Sequence, residues 1–158
     1  MRSGVRIAVD VGKTRVGMAK TDSSGILAVP IGTFLREKDD FRALREAVSS
    51  SRILEIYVGL PLNMDGTEGK SARDARRWAR RAGKWVCGAP IRFVDERLTT
   101  VTAHRQLHEA GRREISHRAV VDQQAAVIIL ESALAYERNT GKIPGIPGDG
   151  GNVDRDFS

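Results

Sequence analysis

The chain has 158 residues, 41% of them hydrophobic, with 26 Lys and Arg against 20 Asp and Glu for a formal net charge of +6. That length suits one domain with a substantial core, and no apolar run is long enough for a membrane span or a secretion signal, so a soluble cytoplasmic protein is expected. A single cysteine, Cys87, excludes an internal disulfide and a Cys-based zinc cluster; it is expected as a small buried thiol near a helix end, with a bridge between two chains as the lesser alternative.

Val5 to Val11 and Arg15 to Thr21 read as two strands joined by the turn Gly12-Lys13-Thr14. Gly-Lys-Thr is the tail of a phosphate-binding P-loop, but that loop needs a glycine five residues before its own Gly-Lys, and Ile7 stands there. Asp10 therefore sits near the end of a strand, either as a turn aspartate satisfied by backbone amides or as a carboxylate carried into a site. A third strand from about Leu27 to Phe34 completes an antiparallel meander. Asp39 or Asp40 then caps a helix with Phe41, Leu44, Ala47 and Val48 on one face, and a compact strand, Glu55 to Leu60, follows.

The loop Pro61 to Gly69 opens onto a helix of about Ser71 to Val86. Between Lys70 and Lys84 stand seven basic residues against one acid, Asp74. At about 100° per residue, Arg73, Arg76, Arg77, Arg80, Arg81 and Lys84 fall within an arc of roughly 140°, while Ala72, Ala75, Trp78, Ala79, Ala82, Trp85 and Val86 take the other side. The helix should pack on its Ala/Trp face. A surface that serves only solubility mixes signs, so this concentration points to a polyanion such as nucleic acid, with a merely solvated face as the alternative.

Ile91 to Val94 is the next strand, and Asp95-Glu96-Arg97 leaves it. Thr99 or Thr100 caps a helix to about Ala110, and a long helix from about Arg118 to Arg138 closes the fold. On that helix Asp122 shares a line with Ala126, Ile129 and Ala133. A carboxylate on a core-facing side needs an arginine, backbone donors or a metal ion, and a salt bridge to Arg15 or Arg97 is the structural option. From Gly141 onward Gly, Pro and Asp predominate without periodicity. The expected organisation is one domain over residues 1–140 and a flexible tail over 141–158.

These elements describe an α/β fold, a mixed five-stranded sheet covered by helices on both faces. With the first strand central, Asp10, Glu96 and Asp122 could converge at one edge. Three oxygen ligands suit Mg²⁺ or Mn²⁺, which polarise a phosphodiester and generate hydroxide from water.

The chain resembles the YqgF/RuvX family of bacterial pre-16S ribosomal RNA nucleases, within the ribonuclease H-like superfamily. The match rests on Asp10-Val-Gly-Lys-Thr-Arg15-Val-Gly17, Val58-Gly59-Leu60-Pro61-Leu62 with Met64-Asp65-Gly66-Thr67, Val94-Asp95-Glu96-Arg97-Leu98-Thr99-Thr100, and Asp122-Gln-Gln-Ala125-Ala126 with Ile129-Leu130. It covers about Val5 to Gly141. The resemblance implies a ribonuclease H-like sheet and metal-dependent phosphodiester cleavage, with Asp10, Glu96 and Asp122 as catalytic, metal-binding acids. Many nucleases of the wider superfamily have an acid ending the strand that here finishes at Gly59-Leu60-Pro61. Glu96 is expected to compensate, with Asp65 and Asp95 as substitutes.

Arg15, Arg97, Thr99 and Thr100 border the proposed acids and could hold phosphates, as could Arg73, Arg76, Arg77 and Arg80 on the basic helix; for the threonines, capping is the equal alternative. The leading expectation is an endonuclease trimming precursor ribosomal RNA. The second is a Holliday junction resolvase acting on branched DNA as a homodimer, with Trp78, Trp85 and Cys87 as a candidate surface. An actin-like kinase needs two lobes where this chain supplies one, and a non-catalytic RNA-binding module leaves the three acids unexplained.

Overall fold

The computed structural model describes residues 1–99 and 115–148, the side chains of 115–122 excepted. The strands are β1 (Val5–Val11), β2 (Arg15–Thr21), β3 (Ala28–Leu35), β4 (Ile53–Leu60), β5 (Ile91–Asp95) and β6 (Ile146–Pro147). The helices are α1 (Asp40–Ser49), α2 (Lys70–Ala82) and α3 (Ile115–Thr140), and a 3₁₀ turn spans Glu96–Leu98. One sheet holds all six strands in the order β3-β2-β1-β4-β5-β6. The β1–β2–β3 meander is antiparallel, β4 and β5 run parallel to β1, and β6 is antiparallel to β5.

β1 lies inside the sheet and is buried on both faces, as its unbroken apolar run requires. Side chains alternate along it. Ile7 and Val9 join Val16, Met18, Ile56 and Val58 beneath α1 and α2, whereas Ala8 joins Ala19, Tyr57 and Val94 beneath α3. The α3 face is built largely of alanine on both sides, with Ala125, Ala126 and Ala133 on the helix. Small side chains let this helix lie close over the strand that carries Asp10.

α2 packs as its periodicity predicts, burying Ala72, Ala75, Trp78, Ala79 and Ala82. It ends at Ala82 rather than running to Val86. Gly83 terminates it, Trp85 N–H bonds the Ala82 carbonyl at 2.8 Å, and the Trp85 ring stacks on Phe41 at 5.9 Å between centroids. That early end puts Cys87, expected to be buried, on the surface in a left-handed turn with φ 53°. Phe41 also stacks on Trp78 at 5.5 Å, and the Trp78 indole N–H donates to the buried Asp40 carboxylate at 2.9 Å. Both tryptophans are thus used within the chain.

Among the described residues the sheet has six strands where five are predicted. β6 lies in the segment read as tail, and its pairing is non-local: Arg92 donates to the carbonyls of Pro144 at 2.6 Å and Gly145 at 2.8 Å. Gly145 has φ +75°, and a Cβ there would stand 2.4 Å from the Phe93 carbonyl oxygen, so glycine is what admits the close approach. The predicted helix from Thr99 or Thr100 to about Ala110 lies outside the described residues.

Candidate active site

The two described acids that the sequence singles out come together. Val9 pairs with Val58, so one rung further Asp10 stands beside Gly59, and on its other side Asp10 pairs with Gly17. Asp10 shares the α3 face with Ala8 and is 1% exposed. Glu96, 4% exposed, opens the 3₁₀ turn where β5 ends. It reaches the same place: a Cβ added to Gly59 would lie 2.6 Å from Glu96 Oε2 and 2.7 Å from Ile129 Cδ1. Two carboxylates therefore approach the C-terminal edge of the sheet from β1 and from the end of β5, the strands on either side of β4, in space left open by glycines.

Of the acids offered as substitutes, neither stands at Gly59. Asp95 accepts the Arg97 guanidinium, with Nη2 at 2.7 Å, and this arginine holds its carboxyl below the usual range. Asp65 is exposed and accepts the Thr67 hydroxyl at 2.6 Å, which likewise lowers it. The third proposed ligand, Asp122, lies on the backbone of α3 four residues before the buried Ala126, and its side chain is outside the described residues. Among the described residues no three acids, histidines or cysteines gather as a metal site.

The proposed phosphate contacts divide into groups. Arg15 projects from the same face of the hairpin as Asp10, two residues before Gly17. Arg97 is engaged structurally as well: besides Asp95 it donates to the Met64 carbonyl at 3.1 Å, latching the loop 61–69 onto the turn that carries Glu96. The Thr99 hydroxyl donates to the Glu96 carbonyl at 2.8 Å and so closes the 3₁₀ turn, while the helix it is expected to cap lies outside the described residues. Thr100 is outside the described residues. Arg76 makes a two-pronged ion pair with Glu68, both contacts 2.7 Å, and stacks over Phe93 at 4.7 Å. Arg73 donates to the Glu68 carbonyl at 3.1 Å. Arg77 reaches Asp74 at 3.0 Å, and Arg80 is exposed.

The structure adds a feature that sequence reasoning missed. A cleft of about 890 Å³ runs between the β1–β2 turn and α2, and Glu96 is part of its lining. Lys13 and Thr14 line one wall, and Lys70, Ser71, Arg77 and Arg81 the other. The signal was present in the Gly-Lys-Thr turn and in Lys70, but the turn and the helix are 56 residues apart and only the sheet brings them together.

A family model described as "RuvX: Holliday junction resolvase" matches residues 4–136. Several curated bacterial proteins named "Putative pre-16S rRNA nuclease" are similar over most of the chain. That of Kineococcus radiotolerans is 47% identical, covering 92% of this chain and 78% of its own. That of Nocardioides sp. is 45% identical, covering 92% and 96%, and that of Streptomyces coelicolor 45% identical, covering 92% and 88%. Among solved structures, RuvC of T. thermophilus in complex with a Holliday junction substrate superposes with a TM-score of 0.55 at 14% identity, over 90% of this chain and 99% of that one. That likeness places the sheet in the ribonuclease H-like fold.

Proposed function

The chain belongs to the RuvX family, and on that footing we propose that it is a metal-dependent endonuclease that hydrolyses phosphodiester bonds in precursor 16S ribosomal RNA. Nuclease activity is common to the descriptions of the family and of its relatives; the RNA substrate follows the relatives' names. The observation that carries the reading is the meeting of Asp10 and Glu96 at Gly59, two carboxylates 1% and 4% exposed at the edge of a ribonuclease H-like sheet.

The donor set fits a hard divalent ion. It is made of carboxylate oxygens, and like charges brought together under burial favour a cation among them. Asp10, Glu96 and Asp122 are the proposed ligands of Mg²⁺ or Mn²⁺, which when bound lowers the pKa of a water and stabilises the leaving oxygen. Asp10 is held by β1, paired on both sides, so its position is fixed before substrate arrives. Glu96 is held by the 3₁₀ turn and by the Thr99 hydroxyl on its carbonyl. The Arg97 latch keeps the loop 61–69 against that turn, and Arg15 offers a cation to the phosphate from the Asp10 face.

No helix among the described residues is long and apolar enough to cross a membrane. Cleavage of a precursor RNA should require Mg²⁺ or Mn²⁺ and be abolished by Asp10→Asn, which keeps the shape and loses the charge. Asp122→Asn should weaken the metal dependence with little loss of stability. Full activity in excess EDTA, or unchanged turnover of the Asp10 variant, would refute the mechanism.

A further inference from the structure

We propose that the cleft between the β1–β2 turn and α2 is the track of a single nucleic-acid strand leading to the acids, with Lys13 and Lys70 as phosphate contacts on its two walls. The proposal rests on the nuclease reading and adds the path and strandedness of the substrate. Most of the charge lining the cleft is already matched internally. Asp74 is bound by Arg36 at 2.7 and 2.8 Å and by Arg77 at 3.0 Å, and Glu37 pairs with Arg81. Lys13 and Lys70 are exposed and make no ion pair within 4 Å among the described residues, the charge of Lys13 acting on Asp74 only from a distance and as the smallest of its cationic neighbours. They are compact, hydrated charges on flexible stems, suited to following phosphates whose spacing varies with base sequence.

The walls between them are fixed in advance. Arg36 bridges them, donating to the Gly12 carbonyl at 2.9 Å while it holds Asp74 on α2. A strand entering the cleft therefore meets two positive charges on a preformed frame, which lowers the ordering cost of binding. Single-strandedness follows from depth. Glu96 is part of the cleft lining and only 4% exposed, so a phosphodiester must enter the cleft to reach it from this side, and Asp10 directly precedes Val11 and Gly12, which line the cleft too. A lone strand can do so, whereas a duplex, with its partner strand behind it, would rest on the rims.

The test is equilibrium binding in EDTA, where cleavage plays no part, of an RNA oligonucleotide single-stranded and annealed to its complement, across a salt titration. The single strand should bind more tightly. The double variant Lys13→Ala with Lys70→Ala should reduce the slope of log K against log salt by about 1.4, at roughly 0.7 per single-strand phosphate contact. Lys20→Ala with Arg52→Ala, exposed and at the opposite end of the sheet, should leave it unchanged. An unchanged slope in the first variant, an equal change in both, or a duplex bound as well as the single strand would overturn the proposal. A nuclease reading that failed the Asp10→Asn test would leave these binding results standing, and the converse also holds.

Discussion

A methyl group at Gly59 would press on Glu96 Oε2 from 2.6 Å and on Ile129 Cδ1 from 2.7 Å, so this one residue decides whether the Glu96 carboxylate can lie beside Asp10. The carboxylate is the movable end of a side chain, whereas Ile129 is fully buried between α3, which carries it, and the sheet, and has little room to yield. Gly59→Ala should therefore displace Glu96, lowering kcat at least tenfold while the overpacking costs about 1–3 kcal/mol. Turnover and thermal unfolding measured on the same preparation check it, and a variant with normal turnover would show that the Glu96 position is immaterial. Asp10 and Glu96 were legible in the sequence because each follows a strand run and precedes a turn. Gly59 was legible only as a missing acid. That a carboxylate from the neighbouring strand fills the place depends on the pairing of Gly59 with Val94, which no local pattern encodes.

Helical period revealed the apolar stripe of α2 but not what its cations would meet: Arg76 is turned to Glu68 and Phe93, and Arg77 and Arg81 toward the cleft. Side-chain partners are tertiary facts, as are the end of α2, drawn in by Trp85 on Phe41, and the pairing of β6. The anchoring of α3 is another. Near its C-terminal end Glu137, 2% exposed, accepts Arg2 at 2.7 Å and the fully buried Arg6 at 3.2 Å, while Arg2 also reaches Glu55 at 2.7 Å. Burial alone would raise the Glu137 carboxyl, but the side-chain and backbone bonds from Arg2, with the charge of Arg6, outweigh it and bring it down to about 2. A lowered folded pKa stabilises the protein above the ordinary value of 4.5, and that stabilisation is lost as pH falls from about 4.5 toward 2. Glu137→Gln should cost about 3 kcal/mol or more at pH 7, since it leaves Arg6 buried without its counter-charge. It should also flatten the fall in melting temperature over that acid window. Parallel melting curves for the two proteins across the window would show that Glu137 does not tie α3 to the sheet.

At the scale of the whole molecule the two ends of the sheet differ in kind: one is sealed by the Arg2, Arg6, Glu55 and Glu137 network, and the other carries the acids and the cleft. One chain thus presents one site. Paired, symmetric nicks in a four-way junction require two such sites facing one substrate, and so a two-fold dimer. The surface that the sequence offered for it is largely consumed by the fold, since Trp78 is 1% exposed beneath α2 and Trp85 is half-buried on Phe41. Exposed Cys87 remains, but a single thiol joins chains only under oxidising conditions and does not by itself set two sites in register. Trimming a precursor RNA needs one site and one accessible strand, which is what the proposed track along the cleft would accommodate. The purified protein should therefore sediment as a monomer at micromolar concentration under reducing conditions, and shorten a precursor carrying the mature 5′ end of 16S RNA faster than it cuts a junction. Any cuts it makes in a junction should be single and uncoordinated. A stable dimer that places paired symmetric nicks while leaving the precursor intact would reassign the same acids to branched DNA.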